Sequence, residues 1–352
     1  MYPDFLIRMI MYSCHKNIGS NCRSALLAAF SVLALGCSAL PMAAPLRPEV
    51  NVFIADMVER HGFEQAELTR IFRKAQFQPV IIRAISQPVT ARPWHEYRPL
   101  FVNERRTSGG VTFWNSHAAT LQQARKEYGV PEEIVAAVIG VETIYGTQTG
   151  KHRVLDALVT LAFDYPRRAE FFRGELEQYL LLTREQGTDA LQLRGSYAGA
   201  IGIPQFMPSS YRRYAIDFDG DGKKELLHSP TDAIGSVANY LKVFGWEAGQ
   251  TAVVRAQVSG EGYQEALAAG IKPGFTLAQM KQLGVTPLET TDIPHDRLVA
   301  LFVLEGKDGP EYWLGFNNFY VITRYNRSTY YAMSVLQLAE EIRAARNSGS
   351  GF

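Results

Sequence analysis

The sequence predicts a mainly α chain that carries a small β lobe, an α+β arrangement. Two observations carry that expectation. Helical hydrophobic periodicity dominates as far as Trp246, and beyond it β-branched and aromatic runs separated by Gly and Pro take over until helix resumes at 329–346. The 352 residues, 47% of them hydrophobic, suffice for one large domain or two to three lobes.

Residues 25–36 (ALLAAFSVLALG) form a short apolar run preceded by Lys16 and Arg23. At about 1.5 Å per residue the run is too short for a ~30 Å hydrocarbon core, so it reads as a signal-peptide core within a leader at 1–44. Met9 and Met11 are alternative starts. Ala34-Leu35-Gly36-Cys37 looks like a lipoprotein cleavage box, and conventional cleavage around Ala39 to Ala44 is the other route. Both deliver the chain to the periplasm of a Gram-negative bacterium, soluble or as an outer-membrane lipoprotein through Cys37. Neither leaves a transmembrane segment in the mature protein. All three cysteines, Cys14, Cys22 and Cys37, lie in or beside this leader, which excludes a disulfide framework and a cysteine metal site. With 36 basic against 35 acidic residues, the usual electrostatic reason to propose nucleic acid is absent.

Residues 49–75 have the spacing of one amphipathic helix with Phe53, Met57 and Phe72 on a shared face. Residues 76–115, rich in Pro, Trp, Arg and Gly, read as a long ordered loop region. Helix resumes over 117–128 with Gly129 as its cap, and Pro131 suits the first position of a helix running to about Tyr145. That helix is apolar on all sides from Ile134 to Val141, so it is expected to be central and buried. Helices follow over 167–186 and 231–244, then strands over 251–258, 298–304 and 311–323, then helix over 329–346. The expected domains are an α lobe at 45–115 completed by the helix 329–346, a core at 116–246 and a β-rich lobe at 247–328.

Glu142 stands at the C-terminal end of the most apolar helix. Desolvation and a helix C-terminus both disfavour its anion and raise its pKa. A carboxylic acid kept protonated near neutral pH can protonate a glycosidic oxygen as the leaving group departs. Taken alone, the residue also reads as a buried Glu bonded to backbone, which is the commoner case.

The surrounding segments favour the chemical reading. Ile139-Gly-Val-Glu-Thr-Ile-Tyr-Gly146, the run Arg194 to Tyr211 (RGSYAGAIGIPQFMPSSY) and Val237-Ala-Asn-Tyr240 closely resemble the lytic transglycosylase B family. HEYRPLF with Tyr97, DYPRRAEFF with Arg167 and Arg168, and Tyr325-Asn-Arg-Ser followed by Tyr330-Tyr331 extend the resemblance to about residues 50–345. It implies a lysozyme-like helical core with small α and β lobes around a long groove, acting on the glycan strands of peptidoglycan. Glu142 matches the catalytic acid/base. Ser196 and Gln205 match residues contacting the reacting sugar, with Phe206, Met207 and Pro208 at the groove wall. Tyr97, Tyr240, Tyr325, Asn326 and Tyr331 match further groove positions, although the tyrosines also read as core. Arg167 and Arg168 read equally as partners of stem-peptide carboxylates or as a solvated basic pair. Ser196-Tyr197 and Ile203-Pro204 depart from the Trp and the Tyr-Gly pair that relatives often carry there.

Most glycosidases need two carboxyl groups. No second acid occurs within the Glu142, Ser196–Tyr211 or Tyr240 segments, and Asp156 and Asp164 lie where helix caps are expected. The family solves this with the substrate's own N-acetylmuramyl acetamido and C6 hydroxyl groups, which implies a 1,6-anhydromuramyl product and no catalytic cofactor. A plain muramidase and a silent peptidoglycan-binding protein are the alternatives. Peptidoglycan is the expected partner, with other cell-wall enzymes as candidates. Asp217-Phe-Asp-Gly-Asp-Gly-Lys223 fits the opening of an EF-hand loop. Asp217, Asp219, Asp221 and the Lys223 carbonyl are expected calcium ligands. His228 stands where a Glu is usual, and the resemblance supplies Asp232 instead.

Overall fold

The computed structural model describes residues 45–86, 92–289 and 292–349. The expected leader at 1–44 lies outside the described residues. The helical stretch after Leu46 is two helices rather than one, Pro48–His61 and Gln65–Lys74. Gly62 breaks it at φ 63°, a left-handed cap for which glycine has no steric cost. Val50, Phe53, Ile54 and Met57 still form the buried stripe.

The stretch expected to be loop is instead largely helical, with helices Pro79–Ser86, Trp94–Phe101 and Glu104–Ser116. Composition misleads here because some helix breakers stand at helix starts, while Pro99 and Gly110 lie inside helices. Pro79 opens a helix, and the Asn103 side chain accepts from the Arg106 N–H as a cap. Gly110 sits mid-helix because a Cβ there would come within 3.0 Å of both Ile342 and Tyr145.

Helices Ala118–Tyr128, Glu132–Thr143, Ala169–Glu185 and Pro230–Val243 fall close to their expected places, with Pro131 as cap rather than first helical residue. The helix Val154–Asp164 was not anticipated. Asp156 and Asp164 lie within it rather than capping it. Asp156 is buried, paired with Arg153 at 2.8 Å, and accepts from the Gln76 N–H and the Gln78 amide. Asp164 pairs with Arg47 at 2.8 Å.

Beyond Trp246 an antiparallel five-stranded sheet forms in the order Phe275–Thr276, Leu298–Gly306, Gly309–Gly315, Val253–Val258, Val285–Pro287. The expected strand 311–323 ends at Gly315, and Asn317–Tyr325 is helix. Asn318 explains the switch: its buried amide bonds the Glu247 and Gln250 carbonyls and accepts from the Glu247 N–H, while Phe319 stacks on Phe302 at 4.4 Å. A satellite core of Leu277, Met280, Val299, Leu301, Leu314 and Phe316 belongs to the sheet, and the main core joins the helices. The last helix, Thr329–Asn347, packs on Glu132–Thr143, Glu104–Ser116 and Trp94–Phe101, so the C-terminal end of the described chain braces the helix bearing Glu142.

Candidate active site

Glu142 is the penultimate residue of the helix Glu132–Thr143, whose residues from Ile134 to Val141 are all buried. The helix ends in an unusual turn. Ile144 at φ 49° and Tyr145 at φ 56° are both left-handed, a conformation that costs a non-glycine residue about 1–3 kcal/mol. Compensating bonds converge on Thr143, which is fully buried. Its hydroxyl donates to the Ile203 carbonyl at 2.8 Å and accepts from the Gly146 N–H at 2.9 Å. Its carbonyl accepts from the Gln148 N–H at 2.8 Å.

The Glu142 carboxyl keeps some exposure but is largely enclosed by protein. Desolvation pushes its pKa from 4.5 up to about 7. One bond opposes this: the Tyr331 hydroxyl donates to Oε1 at 2.6 Å and stabilises the anion. Burial, and secondarily the charge of Glu142, push the Tyr97 hydroxyl up to about 12 and those of Tyr325 and Tyr331 well above the ordinary range. Three tyrosines distant in sequence therefore surround one carboxyl group, and all of them stay neutral.

The rings form a layer behind the site. Tyr325 stacks on Tyr331 at 6.2 Å and meets Tyr240 at 4.8 Å and Phe206 at 5.7 Å. Tyr325 donates to the Pro204 carbonyl at 2.5 Å, and Tyr240 to the Arg324 carbonyl at 2.6 Å. Tyr97 packs among Trp94, Phe101 and Tyr330. Tyr97, Tyr240, Tyr331 and Phe206 are only 2–6% exposed, so for these residues the core reading describes the geometry and a fully displayed sugar platform does not. Pro208 is likewise buried as the first residue of a helix Pro208–Tyr214, whereas Met207 is half-buried and Asn326 exposed.

Ser196 and Gln205 ride on one rigid segment. The strand Arg194–Gly195 pairs with His152–Arg153, and bridges join Gly195 to Ile201 and Ile201 to Phe206. The Ser196 hydroxyl accepts from the Ala200 N–H at 3.0 Å, which leaves its own proton to donate. Gln205 is left-handed at φ 51°, and its amide nitrogen donates to Gly202 and Thr149 carbonyls. Because Thr143 bonds Ile203, this segment and the end of the Glu142 helix form one continuous unit. Arg167 and Arg168 stand apart in an exposed 3-10 turn, with the Arg168 guanidinium 4.2 Å over Phe171.

In the acidic loop the Asp217, Asp219 and Asp221 carboxylates bring oxygens within 4.8 Å of one another. Asp217 also accepts from the N–H groups of Gly220, Asp221 and Gly222, which curls the loop around it, and the Lys223 N–H bonds Asp221. Three hard oxygen donors fit a divalent cation such as calcium. Asp232 lies outside this cluster, contrary to expectation. It is buried, and its two oxygens accept from the Phe218 and Glu225 N–H groups at 2.8 Å, stapling the two ends of the loop. The sequence reading missed Thr143, Tyr145 and Arg106. Glycines at 109, 110 and 140 inside helical stretches were the one visible signal of the close packing there.

Residues 46–340 match the transglycosylase SLT domain. The chain is 43% identical over 309 residues to membrane-bound lytic murein transglycosylase B of Escherichia coli (strain K12), covering 85% of this chain and 84% of that protein. The soluble lytic transglycosylase SltB1 from Pseudomonas aeruginosa shares 50% identity with a TM-score of 0.79, over 85% of this chain and all of that one. The Escherichia coli lytic transglycosylase Slt35 in complex with calcium shares 43% identity with a TM-score of 0.75, over 85% and 94% of the two chains.

Proposed function

Since the chain belongs to the transglycosylase SLT domain family and is a peptidoglycan-cleaving lytic transglycosylase, we propose that it cuts the β-1,4 bond between N-acetylmuramic acid and N-acetylglucosamine with Glu142 as its single acid/base, leaving 1,6-anhydromuramyl ends. The observation that carries this reading is one carboxyl group, raised to about 7 and coupled to tyrosines rather than to a second acid. Near neutral pH a large fraction of Glu142 holds a proton. That proton passes to the bridging oxygen as the C1–O bond breaks and the muramyl acetamido oxygen takes over C1. Glu142, now a carboxylate steadied by Tyr331, takes the proton of the C6 hydroxyl. The C6 oxygen displaces the acetamido oxygen at C1 and closes the anhydro ring.

Ser196, Gln205, Met207 and Asn326 would meet the sugars, with the tyrosine layer shaping the wall behind them. Arg167 and Arg168, exposed and cationic, would face stem-peptide carboxylates. The 25–36 run supports delivery to the periplasm, with Cys37 acylated or removed. Among the described residues no helix is long and apolar enough to cross a membrane. The convergent Asp217, Asp219 and Asp221 support a structural calcium ion. Mass spectrometry of sacculus digests tests the chemistry directly. Anhydro-muropeptides, lighter by one water than reducing-end products, are expected, and reducing muramyl ends would make the enzyme a hydrolase.

A further inference from the structure

We propose that Tyr145 is a positioning residue for Glu142, holding the left-handed turn that ends the Glu142 helix and so fixing where the carboxyl points. The inference rests on Glu142 being the acid/base. Tyr145 lies three residues past it, and the chain there doubles back so that the ring lies against its own helix. The hydroxyl donates to the Arg106 carbonyl at 2.7 Å, and the ring meets Phe113 at 5.4 Å. Cβ atoms built at Gly109, Gly110 and Gly140 would each come within 3.0 Å of the Tyr145 ring or hydroxyl. Three glycines in helix interiors, where alanine would favour the helix, thus leave a slot shaped for one side chain.

Arg106 closes the arrangement from the other side. Its half-buried guanidinium donates to the Gly140 carbonyl at 3.2 Å and to the Leu100 carbonyl at 2.7 Å. The helices Glu104–Ser116 and Glu132–Thr143 are therefore cross-linked twice, by a Tyr145 side chain to backbone and by an Arg106 side chain to backbone. Left-handed Ile144 and Tyr145 persist only where the surroundings over-determine them. Thr143 ties one side of the turn to Ile203, and Tyr145 ties the other to Arg106. Glu142 immediately precedes both ties in the chain. With Tyr145 loosened, the last helical turn is free to relax, and the carboxyl moves relative to Tyr331 and to the Ser196–Gln205 segment.

Tyr145→Phe keeps the ring in its slot and removes only the hydroxyl. On sacculi or a defined glycan oligomer, kcat is expected to fall roughly 10- to 100-fold, the scale for a misplaced catalytic group. KM should stay within about twofold, because little ground-state binding is lost. The alkaline limb of the kcat/KM profile should move to lower pH as Glu142 becomes better hydrated. Tyr97, Tyr325 and Tyr331 stay neutral there, so that limb reports Glu142. Arg106→Lys, which keeps the charge and loses the fork, should move kcat and the limb in the same direction, and it carries the test if Tyr145→Phe does not fold. A folded variant with wild-type kcat and an unmoved alkaline limb overturns the proposal, whether or not its melting temperature drops. So does a rise in KM alone. Active Glu142→Gln would instead bring down the acid/base reading, whereas silent Glu142→Gln beside fully active Tyr145→Phe brings down only the positioning role.

Discussion

Glu142→Gln should separate turnover from stability. Burial raises the carboxyl from 4.5 to about 7, so between those values the folded chain holds a proton that the unfolded chain releases. Stability is therefore full at low pH and falls as pH rises through this window. At ~1.4 kcal/mol per pH unit the ceiling is about 3 kcal/mol, lowered by the residual exposure of the group. Glutamine does not titrate. Turnover should drop by ~10²- to 10⁴-fold, while melting at pH 8 rises above wild type and at pH 4 matches it. Equal melting at pH 8 would show that the carboxyl carries no such cost. Tyr331→Phe removes a donor to the anion, so the alkaline limb of activity should shift upward, and a downward shift would contradict the assigned bond. Glu142 was legible through the segments around it, since taken alone it read more commonly as a buried Glu bonded to backbone. That the Tyr240 and Tyr325 hydroxyls are spent on carbonyls was not legible, since a motif specifies a ring but not its partner. Thr143 and Tyr145 acquire meaning only through backbone angles and contacts that no periodicity encodes.

Two glycines test how element packing overrides propensity. Gly174, exposed in the helix Ala169–Glu185, has nothing within 4 Å of an added Cβ, so Gly174→Ala should stabilise by about 1 kcal/mol. Gly110→Ala gains the same propensity but drives a methyl into Ile342 and Tyr145, and should lose ~1–3 kcal/mol in chemical denaturation. The same sign for both would refute the packing argument. This pair also explains why 76–115 read as loop: its glycines answer to tertiary neighbours 35 or more positions away, while the apolar stripe of Pro48–His61 was legible as helical spacing. The acidic loop offers a second contrast. Calcium should raise the melting temperature and EDTA lower it, and Asp219→Asn should abolish that response. Asp232→Asn should lower melting with or without calcium, because its oxygens hold backbone N–H groups. Loss of only the calcium response on Asp232→Asn would return it to the ligand set. The convergence of Asp217, Asp219 and Asp221 was legible from spacing, and the bonds of Asp232 to backbone N–H groups were not, because ligand and staple share one residue type.

Across the whole molecule, Glu142, Glu175, Glu340 and Asp232 are all raised by burial, so each makes the fold less stable as pH climbs above its ordinary value. Glu49 and Glu185 are lowered, the first mainly by backbone hydrogen bonding and the second by Arg212, and their contribution is lost only at acid pH. His117, lowered by burial, opposes the trend up to its ordinary 6.5. Melting temperature should accordingly peak near pH ~5 and decline toward pH 8, and a rise over that interval would refute the balance. The α+β class was legible from hydrophobic period. The way the last helix braces the Glu142 helix was not, because the two are far apart along the chain. That separation has a temporal meaning. Tyr331 leaves the ribosome 189 residues after Glu142, which at ~5–20 residues per second is a delay of roughly ten to forty seconds. Throughout that interval the acid exists without the hydroxyl that steadies its anion and without the helix that braces its own, so a bond-cleaving centre is complete only after Tyr331 and its helix have been made.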